Sequence, residues 1–359
     1  MIPLVSVVIP HFERSDLLRS TVASVLASSE SRCDIVIVDD GSSANEWRHS
    51  QSLGSDRVTV IRRETGRKGP SRCRNLGVAA ALAGYIVFLD SDDLMAPWCI
   101  ETRLKTAAGD PDADCWVFPV LLFRDFPGDQ DLLWNRMRTG TDDATRFASS
   151  DSPWHTSSPM WKKSAFEKFG GFNEAVLYGD DSDLHLRALL SGVVARQYPE
   201  AVPDVFIRRS DAPRITNSLS PALVESRRTR LHEGTRFLKN TPAATQQVRC
   251  WEAQYFAEAE FLLFNHPAAA GPVANVLDAW ESEFSPARSL RTIVRGYFGV
   301  ALACRQRAYL LVRIARRIVM ILLPPVFFAG GGAIEPVVAS EAAMSEVRKR
   351  MNAQPVNRR

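Results

Sequence analysis

The chain has 359 residues, 45% of them hydrophobic and 24% charged, enough for one large domain with an appendage or for two domains. That balance excludes a disordered chain or a disulfide-built scaffold, and six scattered cysteines without a CxxC pair exclude a zinc ribbon. The net charge of +3 hides an asymmetry: residues 284–334 hold eight arginines and no Asp, Glu or Lys, and residues 335–359 add +2, which leaves residues 1–283 at −7. An acidic body argues against a nucleic-acid binder and directs the basic C-terminal part to a local anionic partner.

In chain order, LVSVVI at 4–9 is a short β-branched apolar run ended by Pro10 and reads as a buried strand. The opening lacks a basic segment followed by a long apolar core, so no signal peptide is expected and the body should be cytoplasmic. Leu17, Leu18, Val22, Val25 and Leu26 then recur at helical spacing. DIVIV at 34–38, VTVI at 58–61 and YIVFL at 85–89 are further strands, with a helix over 71–82 before the last. Such alternation predicts a mostly parallel sheet flanked by helices, with ligands at the carboxyl ends of its strands. CWVFPVLLF at 115–123 reads as the next strand, and 124–153 as a long loop or flap with a short helix. Helices are expected at 163–170 and 181–191, and short strands at 193–198 and 202–207. From about 221 onward the pattern is helical, and GGG at 330–332 marks a break before a weakly structured tail. The expected units are therefore 1–220, 221–330 and 331–359.

The acidic residues gather where the strands end. FLDSDD at 88–93 places carboxylates two apart on a turn, and paired acids at close range repel unless a cation such as Mg²⁺ or Mn²⁺ joins them. A solvated Asp-rich turn has the same sequence. VDDGSS at 38–43 offers acceptors for a base or ribose, or is a polar β-turn. KGPSRCRNLG at 68–77 sets Arg72 and Arg74 near a helix N-terminus, where anions are favoured. In FGGFNEAVLYGDDSDLHLRALLSG, at 169–192, Asp180 and Asp181 begin an amphipathic helix and suit either chemistry or capping.

Together these stretches resemble the family-2 glycosyltransferases, over about residues 3–215. VSVVIPHFER is similar to the family's opening strand and turn, and DIVIVDDGSS, RNLG, YIVFLDSDD and the late GDDSDL segment follow in the family's order. The resemblance implies a GT-A fold in residues 1–220, a helical region after it, and inverting transfer of a sugar from a nucleotide-diphosphate donor, UDP-linked by default. The acceptor it implies is a saccharide or a lipid-linked saccharide. Carried over by position, Asp39 would bind the base or ribose, with the Pro10–Glu13 turn lining the same pocket. Arg74 would lie beside the nucleotide, Asp90 would contact ribose or metal, and Asp92 would coordinate the metal. Asp181 would be the general base, with Asp180 beside it as the first acid of the family's acid pair. The chain departs from the family pattern at Glu13, where Asn is usual, and at Asp180, where Glu is usual. Ser210 stands near the position of a His that serves as third metal ligand, and Arg208, Arg209 or Arg214 would then meet the phosphates. The rival readings are a sugar nucleotidyltransferase, which would want a Gly-rich loop after the first strand, and an inactive binding module, which would want no late acid.

The C-terminal segment lies outside the resemblance. Taken as one helix at 100° per residue, 288–321 places Arg288, Arg291, Arg295, Arg305, Arg313, Arg316 and Arg317 in one arc of about 120°. Ile293, Tyr297, Val300, Leu311, Ile314, Ile318 and Leu322 lie opposite. That pattern fits either peripheral contact with an anionic membrane or a helix docked on the body by its apolar side.

Overall fold

The computed structural model describes residues 3–134, 136–209, 219–305, 308–329 and 336–353. The first 90 residues carry the expected strands and helices and one helix more, the second: β1 (Val5–His11), α1 (Ser15–Leu26), β2 (Cys33–Asp39), α2 (Ala44–Gln51), β3 (Val58–Arg62), α3 (Pro70–Ala80) and β4 (Tyr85–Phe88). Then come β5 (Leu94–Met95), α4 (Cys99–Gly109), β6 (Cys115–Val117), β7 (Leu121–Phe123), β8 (Leu132–Leu133), α5 (Asp143–Ala148) and β9 (Pro159–Lys162). The body closes with α6 (Lys163–Lys168), α7 (Asp180–Leu190), β10 (Ala195–Gln197) and β11 (Val205–Arg208).

Seven strands form a sheet in the order β10-β6-β9-β4-β1-β2-β3, parallel except for β9. The β-branched runs of β1 and β2 are buried on both faces, as a helix-covered parallel sheet requires. Because β9 runs backwards, its first residues lie beside the last residues of β4, with Met160 opposite Val87. The segment that enters β9 is therefore delivered to the edge where β4 ends in its aspartates.

Residues 115–123, expected as one strand, are two. Pro119 lies between β6 and β7, and a proline has no N–H to donate to a ladder, which disfavours it within a strand paired on both sides. The chain switches there from the large sheet to a small one, ordered β12-β8-β7-β11-β5, in which β12 is Val337–Val338. α3 packs close under the sheet because Gly77 has no side chain: a Cβ there would lie 2.3 Å from Cγ1 of Val8 in the central strand. Gly77→Ala is expected to cost about 1–3 kcal/mol by overpacking, read as a lower denaturant midpoint at unchanged slope.

Helices α8 (Pro221–Lys239), α9 (Thr245–Asn265), α10 (Ala270–Phe284), α11 (Arg288–Cys304), α12 (Tyr309–Leu322) and α13 (Val326–Ala329) follow. Their buried residues, including Leu231, Trp251, Phe256 and Phe298, share one hydrophobic cluster with Val8, Phe88 and Trp161 of the sheet. The single helix expected over 288–321 is two helices, α11 and α12, packed on each other. α11 runs through Gly296 and Gly299 and ends at Cys304, and Arg305 turns back to donate to the carbonyls of Leu263, His266 and Pro267 at the end of α9. The common arginine arc therefore does not exist as one surface. The last stretch, expected to be weakly structured, contributes β12 and α14 (Glu341–Ala353). Met344 and Val347 of α14 are buried against Trp98, Leu121 and Phe123 of the body.

Candidate active site

The parallel register puts Pro10, Asp39 and the turn after β4 on one edge, with His11 opposite Asp39. Asp39 is fully buried, and its Oδ1 accepts the backbone N–H groups of Gly41 (3.1 Å) and Ser42 (3.0 Å), which holds the VDDGSS turn. Its Oδ2 has no hydrogen-bond partner among the described residues and lies 4.0 Å from Nε2 of His11. Burial lowers the pKa of His11, so this neighbour is a neutral ring. Glu13, at φ +54°, turns the chain after Pro10 and accepts the Ser43 backbone N–H at 2.5 Å, which joins the first two strand ends. Beside them, a recess of about 240 Å³ is lined by Asp40, Gly41, Arg62, Arg63 and Lys68, among others. Asp40 is ion-paired to Arg63 and accepts the Gly69 N–H at 2.8 Å, which fixes the approach to α3.

Arg74 is the hub. Projecting from α3, it donates from Nη2 to Asp90 Oδ1 (2.6 Å) and from Nη1 to Asp180 Oδ2 (2.8 Å), over the Phe172 ring. Burial opposes its charge, but the two carboxylates win and raise its pKa. Arg72, by contrast, is half-exposed and pairs with Glu174. Asn75 of RNLG clamps the GGF turn, donating to the Phe172 carbonyl and accepting its N–H. That turn leads to Gly179, whose φ of +66° starts α7, where glycine is favoured.

Asp180 is committed to Arg74 and to the Ser71 hydroxyl, 3.0 Å away. Asp181 is not. It is half-buried and accepts only the Ser182 N–H among the described residues. Burial and the neighbouring Asp180 charge push its pKa up to about 6.

In the turn after β4, burial opposes the Asp90 charge, but Arg74 prevails and lowers its pKa. Asp92 meets Arg14 at 2.8 Å. Asp93, absent from the sequence-derived set, is buried, and burial with the charges of Asp92 and Asp90 raises its pKa well above the ordinary value. Asp93, Asp90 and His155 hold their ligand atoms within 4.8 Å of one another, a donor set suited to a hard divalent cation. His155 comes from the segment entering β9 and was not singled out from sequence. A lone His between SPW and TSS carries no spacing signal; only the reversed β9 shows where it lands. Ser210 and Arg214 lie outside the described residues. Arg208 spends its backbone N–H on Asp93 Oδ1 and its Nε on the Asp92 carbonyl, so it braces the acidic turn.

An α/β sheet edge carrying an acidic turn and a late acid pair is the arrangement that the resemblance to GT-A transferases implied. The crystal structure of S. aureus TarS 1–349 with UDP-GlcNAc superimposes with a TM-score of 0.61 at 13% identity, covering 84% of this chain and 87% of that one, which shows the shared fold. The sequence profile of Glycosyl transferase family 2 matches residues 6–166, and that part of the chain is a family-2 glycosyltransferase domain. Glycosyltransferase GlyG of Streptococcus pneumoniae is 32% identical over 116 residues, 32% of this chain and 38% of the relative. An Escherichia coli relative, UDP-Glc:alpha-D-GlcNAc-diphosphoundecaprenol beta-1,3-glucosyltransferase WfaP, is 33% identical over 90 residues, 25% of this chain and 36% of the relative. The matched stretches span 14% to 56% of the length of the curated relatives.

Proposed function

We propose that the chain transfers a sugar from a nucleotide-diphosphate sugar, UDP-linked, to an acceptor hydroxyl with inversion, in the assembly of a polysaccharide or glycolipid. The observation that carries this is Asp181: a carboxylate with a pKa near 6, largely free of partners, joined through Asp180 and Arg74 to the acidic turn. In a single displacement the acceptor oxygen attacks the anomeric carbon as the bond to the diphosphate breaks, and Asp181 takes the hydroxyl proton. One displacement inverts the anomeric centre. Asp180 keeps Arg74 in place, and Arg74 holds Asp90 at the donor side. The unpaired Asp39 Oδ2 is a waiting acceptor for a base or ribose, between the Pro10–Glu13 turn and the basic recess.

Asp90, Asp92, Asp93 and His155 are the side chains that would hold Mg²⁺ or Mn²⁺, and the ion would supply neutralisation of the charge growing on the diphosphate. The raised pKa of Asp93, set first by burial and then by the charges of Asp92 and Asp90, fits a carboxylate whose charge a bound cation would offset. UDP-GlcNAc and UDP are bound by TarS, and a diphosphoundecaprenol-linked acceptor stands in the name of WfaP; both support the donor and acceptor classes. All six cysteines are free thiols, five of them buried, which supports a cytoplasmic, reducing location. An inactive binding module is disfavoured, since it has no use for a charged, partly open Asp181.

Calorimetry with UDP and Mn²⁺, together with a screen of nucleotide sugars for hydrolysis, tests this reading. Asp92→Ala is expected to abolish metal-dependent UDP binding while the melting temperature is kept. Unchanged affinity in that variant would remove Asp92 from the metal site. No turnover of any donor by the parent chain would sink the transferase reading.

A further inference from the structure

The two C-terminal helices treat their apolar residues differently. α11 is docked: Val294, Tyr297, Phe298 and Ala301 are buried, and Arg295 pairs with Glu281 and Asp278 of α10. On α12, Val312, Val319 and Leu323 face the body, and Arg316 is held by Glu260 at 2.8 Å. Leu310, Leu311, Ile314, Ile318, Ile321 and Leu322 face away and are exposed, Ile321 by 83%. At 100° per residue those six fall in one arc of about 120°. Arg313 and Arg317 border that arc, exposed and without an ion pair or hydrogen bond to any described residue. They also line a groove of about 490 Å³ with Phe264, Val312, Met320 and the Arg316–Glu260 pair.

We propose that this face of α12 docks on an anionic lipid bilayer, with the six aliphatic side chains entering the acyl boundary and lipid phosphates meeting Arg313 and Arg317 at the groove. Charge complementarity selects this occupant. A second copy of the chain, paired through the same face, would bring Arg313 and Arg317 of two α12 helices together, and the acid lining the groove, Glu260, is already taken up by Arg316. Six exposed aliphatics on four turns of helix also form a continuous apolar patch of the kind that marks an interaction surface. No helix among the described residues is long and apolar enough to cross a membrane, so α12 lies along the surface. The inference is independent of the transferase reading, because nothing in it draws on the site at the sheet edge.

Co-sedimentation of the full chain with phosphatidylcholine vesicles, with and without phosphatidylglycerol, tests it, alongside light scattering for oligomeric state. Binding to the mixed vesicles is expected, weak on neutral ones and falling as salt rises. Replacing Arg313 and Arg317 with Gln should lower the partition coefficient roughly 30-fold, from a contribution of about 1 kcal/mol for each arginine. Replacing Ile314, Ile318 and Ile321 with Ser should release the protein while the thermal melt and donor hydrolysis are kept, since these side chains already face water. Absence of vesicle binding, equal binding to neutral vesicles, or a dimer that the serine changes dissociate would each overturn the proposal. Vesicle binding by a chain that turns over no donor would leave it standing and count only against the transferase reading.

Discussion

Asp181→Asn is expected to lower sugar transfer by about 10²–10⁴-fold, the usual contribution of a positioned base, while the affinity for the nucleotide donor stays near that of the parent chain. The split follows from the bonding: Asp181 touches none of the groups on the donor side, whereas Asp180 is tied to Arg74. The pH profile gives a second readout. A base must be deprotonated, and Asp181 is held near pH 6, so the parent rate should rise through that pH and level off above it. The sign for stability is opposite. Burial disfavours the Asp181 carboxylate in the folded chain, so above pH 6 the asparagine variant should melt higher than the parent. A variant less active yet more heat-stable separates a catalytic charge from a capping one, since loss of a cap lowers stability. Asp180→Asn proving the more damaging to rate, with donor affinity kept, would move the base by one residue.

Asp204→Asn is expected to cost about 3–5 kcal/mol of folding stability, the largest loss for any single polar change in the body. Asp204 sits just before β11 and forms a two-point ion pair with Arg103 of α4, at 2.7 and 2.8 Å, with both side chains fully buried. Arg103 also donates to the Ser157 carbonyl, in the segment that carries His155. Removal of one partner leaves a guanidinium uncompensated among fully buried side chains. Arg103→Met in the same chain should recover part of the loss, because the variant then buries no charge. Denaturant midpoints for the two single changes and the pair give the coupling directly. Equal losses for single and double variants would show that packing, not charge, is what the pair contributes.

Much of the central sheet was legible because β1, β2 and β4 are apolar, β-branched runs stopped by a breaker or an acid, as in LVSVVIP and YIVFLD. The acids that end those runs lie where the α/β rule places ligands, so Asp39, Asp90 and Asp92 could be read, together with Asp181 at a helix start. Contacts between distant segments could not. Arg103–Asp204 spans 101 residues, and neither residue stands in a motif. Pro119 was visible but was outweighed by the apolar residues around it, although its missing N–H decides the matter. The single helix over 288–321 failed for a related reason. Periodicity registers which residues are apolar and not which carbonyls an arginine reaches, and Arg305 is drawn to the end of α9.

Arg74 joins carboxylates that lie 16 and 106 residues away along the chain. Synthesis delivers them at different times. Asp90 emerges soon after Arg74, and the first half of the sheet can form around that pair from nearby strands. Asp180 arrives only after the flap, β9 and the GGF turn have been made. Until then the guanidinium has one anionic partner, and the base does not exist. Long-range closures of this kind form late, since their entropy cost must be met before their contacts accrue. The link from Arg74 to Asp90 is thus expected to form ahead of the link to Asp180, so that the two halves of this edge are completed in sequence order.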